Sequence, residues 1–174
     1  MSLTLVLGGA RSGKSAYAQS AAERLARARG VAPVLIATAT AEDDEMAERI
    51  ARHRAERAAR WRTLEAPLDL AGAVAGLGAE DVAVVDCLTL WLSNAMAEPS
   101  GPAARLAALP SALAASKAAL WVVSNEVGWG IVPDNALARA FRDRAGWLHQ
   151  AVAAVADESV LVVAGQVLPL RRAD

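Results

Sequence analysis

The chain has a single cysteine, Cys87, in 174 residues. One thiol can close no internal disulfide and build no cysteine metal cluster, which fits a cytoplasmic setting and excludes small disulfide-stapled scaffolds. Charge of one sign is also missing, since 18 basic residues stand against 19 acidic ones for a net charge of −1. No global field therefore draws the chain to nucleic acid, which is not an expected partner. No apolar run reaches the roughly 18 to 20 residues that span a bilayer. The N-terminus enters a strand with no basic region, apolar core and small-residue cleavage site, so no secretion signal is expected. Internal repeats and linkers are absent too. What remains is a chain of single-domain length, long enough to bury roughly 70% of its unfolded surface. Its 55% hydrophobic content rests largely on alanine, which favours helices packed on a sheet.

Against this background one stretch stands out. Residues Gly8-Gly-Ala-Arg-Ser-Gly-Lys-Ser15 match G-x-x-x-x-G-K-[ST], and Leu3 to Leu7 before them read as a short buried strand. Lys14 to Arg29 read as a helix that Gly30 stops, giving the strand, loop and helix of a phosphate-binding loop. In such a loop the backbone N–H groups turn inward around a phosphate above a helix N-terminus. Lys14 then reaches the β/γ-phosphates and the Ser15 hydroxyl binds Mg²⁺.

Further along, Val31 to Thr38 predict a second strand whose end carries Thr38, Ala39 and Thr40. Ligands of open parallel sheets gather at such strand ends, although Thr40 equally suits a helix N-cap. A helix is predicted from there to about Ala59. Its residues Met46, Ile50, His53, Arg57 and Trp61 recur at helical spacing on one face, with Arg49 and Arg57 one turn to either side of His53. Six arginines, Arg49, Arg52, Arg54, Arg57, Arg60 and Arg62, fall within fourteen residues. Two readings of His53 stand: a neutral imidazole nucleophile kept uncharged by flanking guanidiniums, or a helix histidine on a solvated charged face.

Trp61 to Leu64 predict a short strand before Glu65, and Asp69 to Leu77 a short helix. Asp81 to Leu88 predict a buried strand ending at Asp86, either a Walker-B type ligand for Mg²⁺ or a capping aspartate. Thr89 to Ala97 and Ala103 to Ala119 predict helices, the second broken near Pro110. Leu120 to Ser124 predict the next buried strand. Asn125 and Glu126 then open a glycine-flanked loop to Pro133 that reads as a lid over a pocket or as a plain connection. Asp134 or Asn135 caps a helix to about Ala156, with Arg139 and Asp143 spaced for an ion pair and His149 assigned to packing or solvent. Ser159 to Ala164 predict a last strand that Gly165 ends. The expected fold is α/β, a RecA-like P-loop NTPase sandwich of three layers with a mostly parallel central sheet and helices on both faces.

Read together, these motifs resemble one family, the bifunctional adenosylcobinamide kinase/adenosylcobinamide-phosphate guanylyltransferases of cobalamin biosynthesis. The marks are the loop at 8–15, Ile-Ala-Thr at 36–38, Asp-Asp-Glu-Met at 43–46, Arg49-Ile50 with His53, Trp61-Arg-Thr-Leu-Glu65, Asp86-Cys-Leu-Thr89 and Val-Ser-Asn-Glu-Val-Gly-Trp-Gly-Ile-Val-Pro at 123–133. They run over nearly the whole chain. The resemblance implies that a nucleoside triphosphate phosphorylates the aminopropanol hydroxyl of adenosylcobinamide. GTP then donates GMP to that phosphate through a GMP-histidine intermediate, giving adenosylcobinamide-GDP and pyrophosphate.

By the same resemblance His53 is the histidine that carries GMP, with Lys14 as its catalytic partner. The nucleotide site comprises Gly8, Gly9, Ala10, Arg11, Ser12, Gly13, Lys14 and Ser15, then Thr38, Ala39 and Thr40, then Arg54, Ala55, Glu56 and Arg57, with Glu65 and Asp86. Mg²⁺ accompanies GTP or ATP and is held by Ser15 and Asp86, while Asn125 and Glu126 belong to the substrate loop. A homotrimer is implied as well. Two departures from the family pattern are the tail, Gly165-Gln-Val-Leu-Pro-Leu-Arg-Arg172, and Arg52, which stands where some relatives carry a second histidine. The competing readings are a P-loop kinase of another small metabolite and a RecA-like nucleotide-dependent binding protein. The chain has no Asn-Lys-x-Asp guanine motif, which argues against a GTPase switch.

Overall fold

The computed structural model describes residues 2–39 and 61–171. Along them run β1 (Ser2–Gly8), α1 (Lys14–Arg29), β2 (Val34–Ala37), β3 (Arg62–Glu65), α2 (Leu70–Ala75) and β4 (Val82–Asp86). Then come α3 (Leu88–Ala97), α4 (Ala103–Ala115), β5 (Ala119–Asn125), α5 (Ala136–Val155), β6 (Glu158–Val163) and β7 (Gln166–Arg171). The seven strands form one sheet in the order β3-β2-β4-β5-β1-β6-β7, with every neighbour parallel except the final β6/β7 pair.

The sheet is covered on both faces, which is what near-continuous apolar strands require. On one face Ala18, Ala22 and Ala26, spaced one turn apart on α1, pack against Val6, Leu35, Val84, Val123 and Val162. Small side chains let this helix lie close to the strands, so the phosphate loop at its head is fixed tightly to the sheet. On the other face Leu5, Ile36, Val85 and Val122 meet Val74 of α2, Leu88, Trp91 and Leu92 of α3, Leu109 and Leu113 of α4, and Leu148 and Val152 of α5. Truncating any one of these buried leucines to alanine would cost about 2–5 kcal/mol.

The α/β sandwich and the positions of most elements follow the sequence expectation, and α1 ends at Gly30 in the left-handed region as predicted. Several details differ. The second strand starts at Val34 rather than Val31, because the Val31 N–H is taken by the Ala26 carbonyl in closing α1 and Pro33 has no N–H for a ladder. Pro110 does not break its helix, since α4 runs through it. One backbone bond is forgone there while Leu109 and Leu113 on either side are fully buried. The expected Arg139–Asp143 pair is replaced by other partners: Arg139 donates to the Pro133 and Asp134 carbonyls, and Asp143 accepts from Arg142. The chain also does not leave the sheet at Gly165. Ala164 and Gly165, both at positive φ, turn it into β7, an exposed edge strand antiparallel to β6. No burial alternation marks β7, and Pro169 within it reads as a strand breaker unless the strand is an edge.

Candidate active site

The carboxyl ends of the strands come into line on one edge of the sheet. Ala37 is in register with Glu65 on one side and Asp86 on the other, Asp86 with Val123, and Gly8 with Asn125. Open parallel sheets bind ligands at this edge because helix N-termini and loop amides converge there.

Residues 9–13 form the loop between β1 and α1. Gly8 leaves no room for a side chain: a Cβ would stand 2.5 Å from Ser12 Oγ and 2.5 Å from the Val162 carbonyl. Gly13, at φ 99, caps α1 without a side-chain bond, and the first turn holds no acidic residue. Nothing on the helix therefore competes with a bound phosphate for the first N–H groups or their dipole. The loop is clamped from both neighbours, since the Glu126 N–H donates to the Gly8 carbonyl at 3.0 Å and the Gly165 N–H donates to the Ser12 carbonyl at 2.8 Å. Ala10 and Arg11 form the exposed crest, with Arg11 at φ 56. Lys14 is buried at the base and donates from Nζ to the Gly9 carbonyl at 2.9 Å.

Ser15, in the first turn of α1, donates from Oγ to Asp86 Oδ1 at 3.4 Å. A hydroxyl and a carboxylate meeting at the base of a phosphate loop are the hard oxygen donors that Mg²⁺ takes alongside substrate phosphates and water. The donor set therefore fits that ion. Among the described residues no group of three or more His, Cys, Asp and Glu side chains forms an all-protein cage.

Behind Asp86 lies a polar network that sequence reasoning missed. Thr38 is fully buried, and its Oγ1 accepts from the Cys87 N–H and donates to the Cys87 carbonyl, both at 2.8 Å, which locks the end of β2 to the end of β4. Cys87 Sγ lies 3.0 Å from Thr89 Oγ1, which accepts from Asn125 Nδ2 at 2.7 Å. Asn94 Nδ2 donates to the carbonyls of Thr38 and Pro67. The Asn125 amide is thus turned toward β4 and α3. Burial and the Asp86 charge push the Cys87 thiol up from its ordinary range.

Glu65 ends β3 and lines a pocket of about 390 Å³ together with Leu64, Ala66, Pro67, Leu68, Asp69 and Ala73. Ala39 follows Thr38 at the same edge, while Thr40, His53, Arg54, Ala55, Glu56 and Arg57 lie outside the described residues.

Beside the phosphate loop a second group assembles. His149 of α5 is buried, with Nε2 2.7 Å from Ser124 Oγ and Nδ1 3.9 Å from Glu126 Oε2. Burial lowers the affinity of this imidazole for a proton, and the Glu126 charge opposes that shift in part. The expected packing role of His149 holds, and the structure adds polar partners that the sequence did not reveal. The available signal was Ser124, a hydroxyl within an apolar strand, with Glu126 two residues later, just past the strand's end.

A family model described as "Cobinamide kinase / cobinamide phosphate guanyltransferase" matches residues 4–170. The bifunctional adenosylcobalamin biosynthesis protein CobP of Pseudomonas aeruginosa is 47% identical over 170 residues, covering 96% of this chain and 96% of its own. The bifunctional adenosylcobalamin biosynthesis protein CobU of Salmonella typhimurium is 39% identical, and that of Escherichia coli 36%, each over 94% of this chain and 96% of the relative. Among solved structures, the P4 protein from bacteriophage phi6 in complex with ADP superposes with a TM-score of 0.48 at 16% identity, over 99% of this chain and 56% of that one. On the family model and the three relatives, this chain belongs to the cobinamide kinase / cobinamide phosphate guanyltransferase family.

Proposed function

We propose that the protein phosphorylates the aminopropanol hydroxyl of adenosylcobinamide with a nucleoside triphosphate. It then transfers GMP from GTP to the new phosphate through a GMP-His53 intermediate, yielding adenosylcobinamide-GDP and pyrophosphate. The observation that carries this reading is the meeting of Ser15 and Asp86 at 3.4 Å beneath a phosphate loop, in a chain whose family performs both half-reactions.

In the first half-reaction the loop amides and Lys14 hold the β- and γ-phosphates while the hydroxyl oxygen attacks the γ-phosphorus, so the protein's work is positioning and charge stabilisation. Mg²⁺ held by Ser15 and Asp86 would neutralise phosphate charge when bound. In the second, His53 attacks the α-phosphorus of GTP and the same loop and Lys14 stabilise the departing pyrophosphate. Arg54, Ala55, Glu56, Arg57, Ala39 and Thr40 line the nucleotide, while Thr38, fully buried and bonded to Cys87, fixes that strand end from behind. Glu65 reads guanine, since a carboxylate accepts from both N1–H and the exocyclic amine. The hollow beside Glu65 supports that assignment.

The protein acts as a homotrimer in the cytoplasm. Exposed Val163, Val167, Leu168 and Leu170 on the β6–β7 hairpin support self-association, and no helix among the described residues is long and apolar enough to cross a membrane.

The test is incubation with [α-³²P]GTP followed by mass spectrometry of the His53 peptide. The expected result is an acid-labile, base-stable GMP adduct that His53→Ala abolishes. Unchanged labelling of the variant removes His53 from the mechanism, and ATP-dependent phosphorylation of some other alcohol with no response to cobinamide replaces the substrate.

A further inference from the structure

Glu126 is the residue at which β5 leaves the sheet and meets the phosphate loop. Its N–H is bonded to the Gly8 carbonyl immediately after the last register pair, Gly8 with Asn125. Its carboxylate Oε1 accepts from the Gly128 N–H at 2.7 Å, and Oε2 faces His149 Nδ1 at 3.9 Å, beyond direct hydrogen-bond reach. On the far side of the imidazole, Nε2 lies 2.7 Å from Ser124 Oγ.

The three side chains differ in access. Ser124 is 0% exposed and His149 7%, whereas the Glu126 side chain is 19% exposed. A serine, a histidine and a carboxylate in sequence suggest a hydrolase triad, but a nucleophile must reach its substrate and Ser124 cannot. The accessible end is the carboxylate. A carboxylate offers only lone pairs, so the neutral ring places its one N–H on Nδ1, and the Ser124 hydroxyl donates to Nε2. Ser124 Oγ and His149 Nε2 are then directly bonded, whereas His149 Nδ1 faces the Glu126 carboxylate electrostatically across 3.9 Å, too far for a direct hydrogen bond.

The other carboxylates at the strand ends are committed or distant. Asp86, paired with Ser15, is the carboxylate proposed above to hold Mg²⁺, and Glu65 stands on β3, the outermost strand at the far side of the sheet. The backbone of Glu126 is bonded to Gly8, at the start of the phosphate loop, so its partly exposed side chain leaves the sheet edge next to that loop.

Resting on the kinase reading above, we infer that Glu126 accepts the proton of the substrate hydroxyl during phosphoryl transfer, and that His149, itself held by Ser124, is the positioning residue that aims the carboxylate. In the step the substrate O–H bond breaks and an oxygen–γ-phosphorus bond forms. The bond from the γ-phosphorus to the β,γ-bridging oxygen breaks, the nucleoside diphosphate leaves with that electron pair, and the proton passes to a Glu126 oxygen.

The two half-reactions, assayed separately on the full chain, test this. Glu126→Gln keeps the Gly128 contact and is expected to lower kcat for cobinamide phosphorylation by about 10²–10⁴-fold, at least about tenfold more than it slows GMP-protein adduct formation. His149→Gln retains an atom near Ser124 but loses the group facing Glu126. It is expected to lower kcat of the kinase step by about 10–100-fold with KM little changed, and His149→Asn, which returns an N–H to the Nδ1 position, recovers most of that loss. Undiminished kinase turnover in Glu126→Gln overturns the inference, as does an equal fall of both half-reactions in the folded variant. Equal activity of His149→Gln and His149→Asn overturns the positioning role. A wild-type enzyme that leaves cobinamide unphosphorylated overturns the functional reading itself, a result distinguishable because it appears before any substitution is made.

Discussion

The Gly165 N–H donates to the Ser12 carbonyl at 2.8 Å, which ties the turn of the last hairpin to the middle of the phosphate loop. Gly165 has φ 75, a conformation that costs an L-residue with a side chain about 1–2 kcal/mol. Gly165→Val is therefore expected to lower thermal stability and, by moving the Ser12 carbonyl, to weaken nucleoside triphosphate binding several-fold. Thermal denaturation with and without nucleotide measures both effects. Unchanged nucleotide affinity alongside reduced stability would show that the hairpin does not shape the loop.

Gly8→Ala places a methyl group against Ser12 Oγ and the Val162 carbonyl. A serine side chain can rotate away, but a backbone carbonyl inside β6 cannot. The expected cost is about 1–3 kcal/mol of stability, with nucleotide binding lost because the loop amides no longer converge. Equilibrium unfolding and nucleotide titration on the same preparation separate the two.

Ser15→Ala and Asp86→Asn remove one side each of the 3.4 Å pair. Both are expected to raise the Mg²⁺ concentration at half-maximal activity, and Asp86→Asn to lower turnover on the order of 10²-fold. A Mg²⁺ titration at saturating nucleotide checks this. A turnover loss with an unmoved Mg²⁺ midpoint would assign Asp86 a different role.

His149 gives the fold a pH dependence of defined sign. Burial depresses its proton affinity in the folded state below the ordinary value, so the unfolded chain binds the extra proton first. The contribution of neutral His149 is fully present above about pH 6.5. It is lost as pH falls from there through the lower folded-state value. Melting temperatures measured from pH 7.5 to 5 should fall less steeply in His149→Asn than in the wild type. Parallel slopes would mean that another group dominates the window.

Cys87 is buried beneath Asp86 and Thr89. Alkylation of the native protein at pH 8 is expected to be slow, and to become rapid once denaturant opens the sheet. Rapid modification of the folded state would require the ends of β4 and β5 to open locally.

Much of this molecule was legible in the chain. Glycines at 8 and 13, the helix from Lys14 to Gly30 and the apolar strand ending at Asp86 announce themselves because they depend on neighbours in sequence: a tight turn, a helix stop, a buried strand with one charge at its end. The resemblance adds the proposed roles of His53 and of Glu65 at the guanine site. Illegible were the partnerships made across the sheet. Thr38 and Cys87 are 49 residues apart and Ser124 and His149 are 25 apart, and neither pair lies within a turn or a hairpin. β7 escaped because an exposed edge strand buries no face and so leaves no pattern.

The sequence by itself determined that a phosphate loop begins the domain, because backbone conformation around glycine and the periodicity of apolar residues are local properties. Only the tertiary structure decided what surrounds that loop. The order of the strands sets Asp86 beneath it, β5 and β6 on its two sides, and the carboxylate of Glu126 against a histidine from the opposite layer. Side chains distant in sequence meet only where burial of the two faces of the sheet forces the strands into one register.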